Sequence, residues 1–255
     1  MTIPLTVIIP NRDRLSPNSK NTEFHLESFK RQTSHNFKIL YIDGGSKNYA
    51  ELSKYILDKK IPNLEIMQKV INGKFHKTLL NNVAIRNTNT EYVMTTDADI
   101  FFAKEFFELL INSLDPKNFI ESRTMYWKNN IVSQIYNGTL DPFNNLNSCR
   151  IGRIKKRTTP GGCQCGHISM WKKVRGYDER YLGWGSEDVD LLARISRAGY
   201  GVKWLGEDRE SIMVFHQPHD KIDHEEDMRD QNINLGYYRN ITTYEANPNG
   251  WGGSI

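Results

Sequence analysis

The sequence predicts an α/β fold, a mostly parallel central sheet with helices on both faces. Two observations carry this reading. Short apolar runs alternate with stretches of helical spacing over the first 115 residues. Three of those runs end in polar clusters, at 11–14, 43–46 and 97–99. Open parallel sheets hold ligands beyond the carboxyl ends of their strands, so the clusters mark a nucleotide-type site.

Leu5 to Ile9, closed by Pro10, reads as a buried first strand, and a helix follows over roughly 21–31. Phe37 to Ile42 is a second strand that turns at Asp43-Gly-Gly-Ser46 into a helix over roughly 49–59. Leu64 to Val70 is a third strand. Gly73 opens a helix through Arg86, with Leu79, Leu80, Val83 and Ala84 on its apolar side. Tyr92 to Thr96 is a fourth strand ending at Asp97-Ala-Asp99. Phe102 to Leu110 then reads as helix, with Asp115-Pro116 as its stop. The glycines at 44 and 45 do not make a dinucleotide fingerprint, and no P-loop is present.

Beyond residue 115 the periodicity weakens. Tyr126 to Asn147 is rich in Asn and aromatics, and Thr159-Pro-Gly-Gly162 reads as a flexible connection. Ile168 to Val174 is a short helix. Ser186 stands as N-cap to a helix from Glu187 to Ala198, with Val189, Leu192 and Ile195 spaced to face the core. Val202 to Leu205 and Ile212 to Phe215 read as strands, and a polar helix spans roughly 223–238. The second half reads as added structure on one sheet, with an irregular tail from Asn247.

The chain's 255 residues suffice for one large domain with a full core. A net charge of +4 is too weak to imply nucleic acid. The basic residues cluster at Arg150, Arg153, Lys155, Lys156 and Arg157, read either as a solvated loop or as a contact for phosphate, polyanion or anionic membrane. The apolar N-terminus lacks a basic head and reads as a strand, not a signal peptide. Three cysteines, Cys149, Cys163 and Cys165, point to free thiols and a reducing compartment, without a zinc pair.

Three points carry the chemistry. Asp97 and Asp99, two apart after a strand, read either as a solvated turn or as carboxylates sharing a hard ion such as Mg²⁺ or Mn²⁺. His216, at a strand end, is either a hydrogen-bonded residue or an imidazole ligand to the same ion, with His219 and His224 less suited. Glu187 and Asp188 complement a helix dipole, yet beside Gly183-Trp-Gly185 they also suggest a closed sugar pocket with a general base.

These segments together resemble GT-A fold glycosyltransferases. Pro10 with Arg12, Asp43-Gly-Gly-Ser46, Asp97-Ala-Asp99 and Gly176-Tyr-Asp-Glu179 are similar to family 2 nucleotide-sugar transferases. Gly183-Trp-Gly-Ser-Glu-Asp-Val-Asp190 is similar to the GWGxED segment of β-1,4-galactosyltransferases, polypeptide GalNAc-transferases and bacterial chondroitin-type polymerases, with Ser186 where a third glycine is frequent. Phe215-His216-Gln217 resembles the metal-histidine segment of the bacterial members. The resemblance implies a GT-A domain with residues 1–115 as nucleotide-sugar half, 116–245 as acceptor and catalytic half, and 246–255 as tail. It implies Asp188 as catalytic base and Asp99, His216 and Asp97 as the metal site for Mn²⁺ or Mg²⁺. The donor, a UDP-sugar, falls to Pro10, Arg12, Asp43, Lys77, Asp97 and Asp99, with Arg86 a further donor contact. The acceptor falls to Tyr181, Trp184 and Glu187.

The implied activity is an inverting, metal-dependent transfer of a hexose or N-acetylhexosamine to a glycan or lipid-linked hydroxyl. The alternatives are a retaining GalNAc-transferase-like enzyme and a non-catalytic, degenerate carbohydrate binder. A nucleotidyltransferase draws little support from the Trp-rich second half. The catalytic domain begins at residue 1 without the anchor of the Golgi relatives. That start fits a bacterial or viral cytosolic enzyme or an excised domain, and the expected location is cytoplasmic, with peripheral contact at the inner face of an anionic membrane, and without nucleic acid.

Overall fold

The computed structural model describes residues 3–17, 19–122, 124–127, 129–144, 161–205, 214–218 and 224–253. The first half follows the expected alternation: β1 (Leu5–Asn11), α1 (Lys20–Lys30), β2 (Phe37–Asp43), α2 (Tyr49–Asp58), β3 (Leu64–Gln68), α3 (Lys77–Asn87) and β4 (Tyr92–Thr96). Next come β5 (Ile100–Phe102), α4 (Phe106–Ile111), β6 (Asn118–Ser122), β7 (Thr124–Tyr126) and α5 (Asn129–Tyr136). The chain continues with β8 (Cys163–His167), α6 (Ile168–Val174), α7 (Glu187–Arg197), β9 (Gly201–Leu205), β10 (Val214–His216) and α8 (His224–Asn240).

Seven strands form one sheet in the order β3-β2-β1-β4-β8-β6-β9. All its pairings are parallel except those of β8, which runs antiparallel to both β4 and β6. The sheet is therefore mostly parallel, as expected, and β6, β8 and β9 of the second half extend it directly. β1 shows how the faces are divided. Leu5, Val7 and Ile9 join α1, α2 and α4 through Leu26, Phe29, Leu52, Ile56, Phe106 and Phe107. Ile8, one step out of phase, joins α3, α6 and α7 through Val83, Trp171 and Leu191. The alternating side chains thus bury both faces under helices, which a parallel sheet requires.

Several expectations need correction. The helix expected from Phe102 begins at Phe106, because Ile100–Phe102 is a strand. That strand belongs to a second, three-stranded sheet, β5-β10-β7. The helix expected from Gly73 begins at Lys77. Ser186 is a left-handed residue, φ 71°, and its side chain makes no capping bond to α7. The buried stripe of α7 is Leu191 and Ile195 with Glu187, Asp190 and Arg194, so Val189 and Leu192 do not lead it. Arg194 and Asp190 are both fully buried and pair at 2.7 Å. Arg194 Nη1 also donates to the main-chain oxygens of Val174 and Gly176. The tail folds back: Asn247 Nδ2 donates to the oxygens of Arg175 and Tyr177, and the Gly252 N–H donates to Glu179. Among the described residues, no helix is long and apolar enough to cross a membrane.

Candidate active site

The carboxyl ends of β1, β2, β4 and β6 lie on one edge of the large sheet, and the polar clusters gather there. Asp43, ending β2, is buried and held within its own loop. Its Oδ1 accepts from the N–H groups of Gly45 and Ser46. Its Oδ2 accepts from Asn11 Nδ2 and Ser46 Oγ. Asp43 therefore shapes the 43–46 turn, and Asn11 and Ser46 are partners that sequence reasoning missed. Pro10 is buried in β1 opposite Ile42. Arg12 is partly buried, and its guanidinium donates to the Ile71 oxygen. Arg86 lies away from this edge, donating to the Trp251 oxygen with its guanidinium 6.0 Å from the centre of that indole.

Lys77, the first residue of α3, is the hub. Its ammonium is 2.8 Å from Asp97, 3.2 Å from Glu187 and 3.7 Å from Asp188. Acids separated by some ninety residues thus meet around one cation. Burial alone would lower the Lys77 pKa, but Asp188, Asp97 and Glu187 together hold it well above the lysine range. Burial also works against ionising Asp97, yet Lys77 outweighs it and the Asp97 carboxyl sits below its usual value. Asp188 goes the other way. Burial pushes its carboxyl up to about 7, Lys77 opposes the rise, and Glu187 and Asp97 add to it. Gly161 passes directly over this carboxylate: a Cβ there would lie 2.8 Å from Asp188 Oδ2.

Asp99 does not share Asp97's partner. Its carboxylate lies 3.5 Å from His216 Nε2 and 3.4 Å from Arg14 Nε. The small sheet makes this meeting: His216 pairs with Ile100 across β10 and β5, and the Gln217 N–H donates to the Asp99 oxygen at 2.9 Å. Carboxylate and imidazole suit Mn²⁺, and two ligands 3.5 Å apart can share one ion at ordinary bond lengths. Asp99 and His216 therefore fit a metal. Among the described residues no group of three such side chains is assembled, because Asp97 turns to Lys77.

Of the residues expected to meet the acceptor, Trp184 is half exposed, whereas Tyr181 is buried with its ring against Tyr237. The Gly183-Trp-Gly185 loop is gripped by α8: Asn234 Nδ2 donates to the oxygens of Leu182 and Trp184. Asp230, paired with Lys74 at 2.6 Å, comes so close that a Cβ on Gly183 would lie 1.8 Å from its carboxylate. Gly183 also has φ 64°, so both the backbone and the space require glycine here. Cys149, the 150–157 basic cluster and His219 lie outside the described residues; Cys163 and Cys165 are buried free thiols.

Solved structures with this fold include GalNAc-T7 with UDP, GalNAc and Mn²⁺, at TM-score 0.60 and 14% identity, over 85% of this chain and 43% of that one. Staphylococcus aureus TarS 1-349 with UDP-GlcNAc matches at TM-score 0.57 and 15% identity, over 87% and 60%. The mannosyltransferase PcManGT from Pyrobaculum calidifontis, with GDP-Man and Mn²⁺, matches at 0.56 and 15%, over 83% and 56%. At such identities the likeness establishes the fold, an α/β fold of the GT-A glycosyltransferase type.

The family follows from the sequence itself. The model described as glycosyl transferase family 2 matches residues 6–173, well over half of the chain. The chain belongs to glycosyl transferase family 2. A second model, described as the N-terminal domain of galactosyltransferase, matches residues 149–219. Uncharacterized glycosyltransferases of Rickettsia felis and Rickettsia bellii are 33% identical over 106 residues and 28% identical over 123. These segments cover 41% and 48% of this chain but only 17% and 16% of the relatives. The chain thus spans about a sixth of the length of these two relatives.

Proposed function

We propose that this chain is an inverting glycosyltransferase that moves a hexose or N-acetylhexosamine from a UDP-sugar to a hydroxyl of a glycan or lipid-linked acceptor. The observation that carries the reading is the Lys77 hub, which holds Asp97, read as a donor contact, and Asp188, read as the base, within 2.8 and 3.7 Å of one ammonium. UDP accompanies two of the three solved relatives described above, and GDP-mannose the third.

In this mechanism Asp188 accepts the proton of the acceptor hydroxyl as its oxygen attacks the anomeric carbon. The bond from that carbon to the diphosphate oxygen breaks with its electron pair, and one displacement inverts the centre. Lys77 keeps Asp97 ionised and aimed at the donor, and offsets the charge of Glu187 beside the base. Asp99 and His216 would hold a Mn²⁺ or Mg²⁺ ion, whose charge stabilises the departing diphosphate. Trp184 offers its exposed ring as a stacking face for the acceptor sugar. The basic cluster at 150–157 would meet a phosphate or carboxylate on the acceptor, or an anionic membrane surface at the cytoplasmic face.

A donor screen with Mn²⁺, scored by nucleotide release, tests the reading. UDP release from one UDP-sugar, abolished in Asp188→Asn while UDP binding persists, is the expected result. Release from no UDP-sugar with any acceptor would refute it. NMR of the product anomer decides between inversion and the retaining alternative.

A further inference from the structure

Glu121, at the carboxyl end of β6, is fully buried, and the reaction above does not use it. Its register partner across the β6–β8 ladder is Gln164. Gln164 Nε2 donates to Glu121 Oε1 at 2.5 Å and to the main-chain oxygen of Asp188 at 3.2 Å. Gln164 Oε1 accepts from the Tyr177 hydroxyl at 2.7 Å. With that proton committed, the 2.7 Å contact between Thr95 and Tyr177 must run from Thr95 Oγ1 to the phenolic oxygen. The direction of each bond is thereby set. A polar chain crosses the floor of the site from β4 to β6, and one branch of it reaches α7 at the Asp188 oxygen.

We propose that Glu121 is a positioning residue of the transfer site: it fixes the Gln164 amide, and that amide fixes the main chain of Asp188. The inference rests on the reading of Asp188 as the base. An anchor on the base's own peptide group matters, because a displacement of 1 Å at a reacting group can cost about 10²-fold in rate. Glu121 serves through its acceptor oxygen Oε1. No cation pairs with it among the described residues, and burial pushes its carboxyl well above the usual range, with the Gln164 bond opposing and Asp188 adding. An amide of the same shape presents the same acceptor oxygen to Gln164 and can stand in for it. Among the described residues, the charged and titratable groups around Asp188 are Lys77 on α3, Asp97 after β4, Glu187 on α7, Glu121 on β6 and Tyr177.

The experiment compares Glu121→Gln, Glu121→Ala, Gln164→Ala and the double alanine variant, using full-length chain whose folding is checked by thermal melting and UDP–Mn²⁺ binding. Glu121→Gln is expected to keep kcat within about threefold and to leave the acid limb of the pH profile in place, because the acceptor for Gln164 survives. Glu121→Ala and Gln164→Ala are each expected to lower kcat at least about tenfold with donor KM unchanged, and the double variant to be no worse than either. The titration of Asp188 is followed in parallel by carboxyl infrared bands, referenced to Asp188→Asn. It should shift in Glu121→Ala and not in Glu121→Gln. That readout needs no turnover, so a chain that transfers no sugar defeats the proposed function while the anchor is still judged. Glu121→Gln as impaired as Glu121→Ala, or Glu121→Ala with wild-type kcat and an unmoved titration, would overturn the proposal.

Discussion

Replacing Lys77 with methionine removes an ammonium that faces Asp97, Glu187 and Asp188 at 2.8, 3.2 and 3.7 Å. Methionine keeps much of the length and drops the charge. Taking one partner from a buried ion pair costs about 3–5 kcal/mol. Here Asp97 is 30% exposed, and Asp188 can take up a proton, so about 2–3 kcal/mol is expected. For a chain of this size that is a fall of about 5–10 °C in Tm. The loss should depend on pH. Asp188 already titrates at about 7, above its unfolded value, so its ionisation weakens the fold as pH rises from the unfolded carboxylate range through 7. Without Lys77 this penalty grows. The deficit should therefore be largest near pH 8 and smaller at pH 5, where Asp188 carries its proton. It should not vanish at pH 5, because Asp97, held low by Lys77 in the wild type, is still ionised there. Thermal melts of both proteins at the two pH values make the test. An unchanged Tm at pH 8, or a larger deficit at pH 5, would refute the reasoning.

Asp188→Asn should lose about 10²–10⁴-fold in kcat, the range for removing a general base, and should melt higher than wild type at pH 8 with the gap closing toward pH 5. The transfer rate should rise with pH through about 7, since the base works only when ionised; a limb near pH 4 would contradict the assignment. Asp99→Ala and His216→Ala should each raise the Mn²⁺ concentration needed for UDP binding at least about tenfold, read by titration calorimetry, and an unmoved titration would remove that residue from the ligand set. Gly183→Ala should cost at least about 1–2 kcal/mol from the left-handed backbone alone, and the added methyl must displace Asp230, so Tm and Trp184 fluorescence should both change.

Periodicity revealed the layered fold because β1, β2 and β4 are buried almost throughout, while α1 and α2 bury one side. It failed where strands are short. Ile100–Phe102 is too short to show a period of its own, so its last residue, Phe102, reads as the start of the following helix. β6 reads Asn-Phe-Ile-Glu-Ser, with two apolar residues and an acid, and offers no strand signal of its own. The site was legible where acids follow strands or open a helix: Asp97, Asp99, Glu187 and Asp188. Its interior was not. Glu121, Gln164, Asp190 and Arg194 are polar residues inside the protein, and a hydrophobic pattern assigns such residues to the surface. Only their partners, distant in the chain, explain them. Lys77 was placed on the donor side, but its contact with all three acids required the folded geometry.

The Asp99–His216 pair and the Lys77 hub hang from different pieces of the protein. Ile100 and His216 are paired within the three-stranded sheet, which is braced by Phe101, Trp127 and Phe215, whereas Asp97 and Asp188 are carried by the seven-stranded sheet and its helix. Asp97 links the two, because His216 and Arg14 act on its carboxyl as well as Lys77. A change among those aromatics reaches Asp99 and His216 first, and reaches Lys77 and Asp188 only by way of Asp97.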